Sequence, residues 1–167
     1  MAMTSAELIR WSSMHEKRAR TGSSLVVALV AGGALAGWVY WRGHVAGLGP
    51  ASHAWLAGAL AAFAVAFMRV PFHLYWRADA ALLAQLPIGG GPLLDAALWR
   101  CTRAAAATTL AVAIGAAPLA RVSTELLLRH LAVAGALGLA AALFLPAVAI
   151  WAASLVAVSQ GAHRAPR

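Results

Sequence analysis

The sequence predicts an all-α, polytopic membrane helix bundle, and three observations carry that prediction. Of its 167 residues, 62% are hydrophobic and only 11% are charged, too little polar surface to cover a water-soluble domain of this length. The apolar residues fall in four long blocks with the charges between them, as expected when hydrocarbon is the main solvent. Aromatic side chains gather at block ends, with Trp38, Tyr40 and Trp41 closing the first and Trp55 opening the second, where amphipathic rings suit the membrane–water boundary.

The formal net charge of +8 comes from 13 Lys and Arg against 5 Asp and Glu. A basic excess can serve nucleic acid, but here the cations form no dense patch and flank apolar blocks, so they orient a chain in a bilayer. The lipid bilayer is therefore the expected partner, and nucleic acid is not. Cys101 is the single cysteine and reads as a small apolar filler. His15, His44, His53, His73, His130 and His163 show no metal-ligand spacing, and neither metal nor cofactor is expected.

Residues 1–22 form a polar, basic segment in which Leu8, Ile9, Trp11 and Met14 recur at helical spacing among Glu7, Arg10, Lys17 and Arg18. That pattern predicts an amphipathic helix at the cytoplasmic surface. Residues 23–158 are the transmembrane domain. The first span is predicted over 24–41, close to the ~20 apolar residues that cross the hydrocarbon core. Ala34-Leu35-Ala36 offers a rival reading as a leader cleavage site, but the apolar stretch runs past it to the aromatic belt. A loop is expected over 42–54 and the second span over 55–70. Residues 71–103 form the most varied connection, with a Pro-Ile-Gly-Gly-Gly-Pro turn over 87–92. Helices are expected on either side of it, the later one running on into the third span.

The third span is predicted over 104–120, interrupted by Gly115 and Pro118. A polar stretch over 121–130 follows, with Glu125 and Arg129 spaced for an i, i+4 pair. The fourth span, 131–158, exceeds what a bilayer needs, which predicts a tilt or a break at Pro146. A basic tail over 159–167 completes the chain. Arg10, Lys17, Arg18 and Arg20, then Arg69, Arg77, Arg100 and Arg103, then Arg164 and Arg167 all fall on one side of four spans. That side is expected to be cytoplasmic, with both termini inside. A bacterial inner, or plasma, membrane is the expected location.

Chemistry is sparse in the spans. No carboxylate or histidine stands near a predicted midplane, where a coupling ion would need one. No nucleophile–base pair is visible, so an enzyme is not expected. Thr108 and Thr109 are expected to bond back to their own helix. No G-x-x-x-x-G-K-[ST] motif occurs, so any ATP hydrolysis would belong to a partner. Gly33 and Gly37, and more loosely Gly138 with Ala142, form small-residue pairs that favour close helix packing.

The informative stretch is Tyr75-Trp76-Arg77-Ala78-Asp79-Ala80-Ala81-Leu82-Leu83-Ala84-Gln85-Leu86-Pro87-Ile88. Helical spacing sets Asp79, Leu82, Leu83 and Leu86 close to one face, and Pro87 stops the helix. This is either an interfacial helix resting its leucines on lipid or a docking element for a soluble partner. Over residues 76–88 the run resembles the permease subunits of ABC-2 type transporters. The order of an amphipathic N-terminal helix, two spans, cytoplasmic helices and further spans is similar too. Gly89-Gly90-Gly91 replaces the Ser and basic residues frequent in that family, and four spans stand where six or more are usual.

The resemblance implies the membrane-spanning subunit of an ABC-type exporter, coupled through cytoplasmic helices to a separate ATPase subunit. Asp79, Leu82, Leu83, Leu86, Pro87 and Ile88 would be the docking residues. With so few spans, a homodimer or a second permease subunit is expected. The alternative is a non-transporting membrane scaffold or assembly protein that binds other membrane helices.

Overall fold

In the computed structural model, the described residues are Glu7, 24–68 and 90–163. The N-terminal amphipathic helix, the connection over 69–89 with its docking residues, and the last four residues lie outside them, apart from Glu7. Helices α1 (Ser24–Ala46), α2 (Leu48–Met68), α3 (Gly90–Gly115) and α4 (Thr124–His163) make up the fold, with a short 3₁₀ helix, Ala117–Arg121, between α3 and α4. Among the described residues, four helical stretches are long and apolar enough to cross a membrane: Leu25–Ala46, Leu48–Met68, Leu94–Arg121 and Thr124–Val148. The chain is an integral membrane protein by that measure. Large apolar side chains such as Val30, Leu139, Leu143 and Phe144 are exposed along the rods, where a water-soluble bundle would present charge.

The helices begin and end for local reasons, and several bounds differ from the sequence expectation. The loop expected over 42–54 shrinks to Gly47, whose φ of 90° only glycine adopts without strain. Its N–H donates to the Gly43 carbonyl at 3.1 Å and its carbonyl accepts from Ala51 at 3.2 Å, so both helices continue to the turn. Pro50 is tolerated because it sits in the first turn of α2, where an N–H has no helical acceptor. The fourth helix, expected from 131, instead starts at Thr124, inside the polar stretch over 121–130. Ser123 caps it, accepting the Glu125 N–H on its hydroxyl at 3.2 Å, and Glu125 pairs with Arg129 one turn later. Pro146 lies inside α4 without ending it. At 1.5 Å per residue, the 40 residues of α4 reach about 60 Å, roughly twice the hydrocarbon thickness.

Helices α2 and α3 each touch all three others, while among the described residues α1 and α4 do not meet. Trp55, near the start of α2, bonds to Val112, near the end of α3, so these two helices run antiparallel. One end of the bundle therefore holds Gly47 and the 3₁₀ turn, and is called the turn end here. The other holds Met68 and Gly90, the points from which the 69–89 connection leaves and returns. The core combines small residues, Ala51, Ala59, Ala116 and Ala134, with Val39, Val112 and Leu119 around one aromatic ring, Trp55. Glycine makes the closest approaches possible. A Cβ on Gly32 would overlap the Ala111 carbonyl and Ile114, and one on Gly58 or Gly115 would overlap Leu35. Leu35 of α1 is thus a knob seated against α2 and α3 together.

Candidate functional site

The end of α3 creates the most constrained polar chemistry in the bundle. Gly115 and Pro118 break the α-helical ladder as its sequence predicts, and the chain tightens into the 3₁₀ turn. The Ala116 N–H then donates to Ala113, at 3.1 Å, instead of to Val112. That leaves the Val112 carbonyl without its helical donor in a medium where no water replaces it. The Trp55 indole N–H supplies the missing bond, at 3.0 Å, and both residues are almost wholly buried. The other edge of this arrangement is His130 of α4, whose ring meets Trp55 edge-on with centroids 4.7 Å apart. The His130 Nδ1 is 2.8 Å from the Leu126 carbonyl, one turn back, which holds that nitrogen as the protonated one. Trp55 thus ties α2, α3 and α4 together at the turn end.

Away from this tie, α2 and α4 scarcely touch. Between them runs an apolar groove of about 550 Å³, lined by Phe63 and Phe67 on one wall and Leu137, Ala141 and Phe144 on the other. The stacked rings of Phe67 and Phe144, 6.0 Å apart, line it towards the connection end. No ionisable side chain lines it. It offers space to an apolar chain and nothing to an ion or a reacting group. Among the described residues, no trio of His, Cys, Asp or Glu is placed to hold a metal.

The small-residue pairs separate. Gly138 lies where α3 and α4 meet, so close that a Cβ would overlap the Thr109 side chain, and Ala142 packs on the cluster of Cys101, Ala105 and Leu145. A Cβ on Gly33 or Gly37 would meet no described residue within 4 Å. Their neighbour Gly32 does the packing on α3. The GxxxG spacing could not reveal this, since it names a face without saying what covers it. Leu35 and Trp55 were not legible as packing and capping residues either. The one available signal was the Gly115–Pro118 break, which demands an outside donor for a freed carbonyl. Thr108 and Thr109 donate to Ala104 and Ala105, at 2.9 and 2.8 Å, so their hydroxyls are occupied within α3.

At the turn end a second group of polar side chains sits at headgroup depth. The Arg121 guanidinium lies 5.1 Å above the Tyr40 ring, which in turn stacks on His44 at 6.2 Å. These contacts fasten the 3₁₀ turn to the end of α1. Comparison with known protein families, with curated proteins and with solved structures finds no match for this chain.

Proposed function

We propose that this chain is the membrane-spanning subunit of an ABC-type exporter, driven by a separate ATPase subunit through the connection between α2 and α3. One observation carries the reading beyond the motif. Helix α3 starts at Gly90, two residues after Ile88, and it packs against both α1 and α4, which do not meet each other among the described residues. A push on the Asp79, Leu82, Leu83 and Leu86 face would enter the bundle through its central rod. It would be felt at the α2–α4 boundary, where the least packing resists it. The proposed cargo is apolar, because the groove there offers no charge. A second copy or a second permease subunit would complete the pathway. The proposed setting is the bacterial inner membrane with the connection in the cytoplasm, supported by the Arg and Lys bias of the segments.

Co-purification with an ATPase subunit tests the coupling. Leu82→Asp together with Leu83→Asp is expected to release the ATPase while leaving the membrane chain intact, since two carboxylates cannot be desolvated in an apolar docking groove. Survival of the complex would remove the docking role. The alternative, a scaffold that binds another membrane helix, is favoured by Gly33 and Gly37, whose open face meets no partner among the described residues. Gly33→Ile with Gly37→Ile would then abolish partner binding and leave this chain's own stability unchanged.

A further inference from the structure

The hairpin of α1 and α2 carries a pocket at the turn end that lies apart from both the groove and the docking segment. Trp38, Trp41 and Arg42 of α1 face Pro50, His53 and Ala54 of α2 around about 320 Å³. That is roughly ten times the liquid volume of one water, room for a phosphate ester and its glycerol link. Both tryptophans are partly exposed, and such rings mark the edge of the hydrocarbon.

Charge identifies the occupant. Among the described residues, three arginines stand at the turn end, Arg42, Arg121 and Arg129, and the carboxylate there is Glu125. Arg129 holds Glu125, and Arg121 rests on Tyr40. Arg42 is half-buried and makes no ion pair, hydrogen bond or ring contact with any described residue. A guanidinium partly withdrawn from water calls for an anion. At this depth a bilayer supplies one kind in abundance, the phosphodiester of its own lipids. A guanidinium fork matches two phosphate oxygens, and His53 can donate one N–H whichever tautomer it adopts.

We propose that this pocket binds the headgroup of an anionic phospholipid, with Arg42 and His53 on the phosphate and the two indoles against the glycerol region. A choline headgroup would bring its own cation beside Arg42 and is disfavoured. The site uses neither glycine of the Gly33 and Gly37 pair, and it requires no ATPase, so it stands or falls separately from the proposed coupling.

Native mass spectrometry of the full chain in detergent, titrated with dioleoyl-phosphatidylglycerol or dioleoyl-phosphatidylcholine, tests it. The unaltered chain is expected to hold the first lipid about tenfold more tightly, in line with one charge-assisted contact. Arg42→Gln should bring the two lipids to within about twofold of each other, and Arg42→Lys should keep most of the preference by keeping the charge. Arg121→Gln, which removes a charge from the same end outside the pocket, should leave the preference intact. Equal affinity for both lipids in the unaltered chain would overturn the proposal. So would an equal loss in Arg121→Gln and Arg42→Gln, which would show only a diffuse surface charge. Stripping of the bound lipid by millimolar inorganic phosphate would also overturn it, since the pocket would then hold a free anion.

Discussion

The two ends of the α2–α4 boundary are built on different physics. At the turn end Trp55 donates a hydrogen bond to a carbonyl that has no other donor and meets His130 at its edge. At the connection end the boundary is two phenylalanine rings, Phe67 and Phe144, both exposed to the surrounding medium. In water the second arrangement would be held by the hydrophobic effect. In hydrocarbon it is not, because lipid tails solvate a phenyl ring as well as another ring does. The bundle is therefore fastened at one end and merely touching at the other, and a force applied through α3 would open it at the connection end first.

The tie at Trp55 should dominate stability. Trp55→Ala removes a fully buried ring as well as the donor, and a loss of about 3 to 5 kcal/mol is expected. Trp55→Phe isolates the donor. The Val112 carbonyl is left unpaired in a low dielectric, which should cost about 1 to 3 kcal/mol. Equilibrium unfolding in mixed micelles measures both. A Trp55→Phe chain as stable as the original would mean that the carbonyl finds another donor, and the tie would be packing alone.

Adjacent glycines offer a sharper comparison on one helix. Gly32→Leu must displace the Ala111 backbone or Ile114, and overpacking of that kind costs about 1 to 3 kcal/mol. Gly33→Leu enters open space and should stay within about 0.5 kcal/mol in the isolated chain. A large loss from Gly33→Leu alone would show that the open face is covered by a second copy under the conditions of the measurement. The aromatic contact at the connection end comes next. Phe67→Ala should cost about 0.5 to 1.5 kcal/mol, the part of an aromatic pair that exceeds simple burial. If it costs as much as Trp55→Ala, the asymmetry between the two ends is wrong.

Membrane class and the four spans were legible because hydrocarbon imposes a length and a composition that any single sequence displays. The break at Gly115 and Pro118 was legible for the same kind of local reason, a residue without a Cβ followed by one without an N–H. Helix ends were not. Residues 42–54 carry three glycines, Gly43, Gly47 and Gly49, with Pro50 and polar groups, and read as a loop. One glycine at positive φ turns the chain in a single residue, and the polar groups ride on helix ends at headgroup depth. Packing was legible only as a tendency. The sequence offers Gly32, Gly33 and Gly37 alike, and the choice among them depends on where Ala111 and Ile114 stand, which is set by helix rotation rather than by spacing.

The smallest effect concerns the other misread boundary, the start of α4. Glu125 and Arg129 are both largely exposed, so their attraction is screened and worth about 0.2 to 1 kcal/mol. Glu125 also sits in the first turn of α4, where a carboxylate meets the positive end of the helix dipole, a further ~0.3 to 1 kcal/mol at low salt. These two contributions separate in a double-mutant cycle. Arg129→Gln removes only the pair, Glu125→Gln removes both, and the difference between them reports the dipole. Raising the salt concentration should shrink each loss. If Arg129→Gln costs as much as Glu125→Gln at every salt concentration, the ion pair alone would hold the first turn. The helix dipole would then add nothing to it.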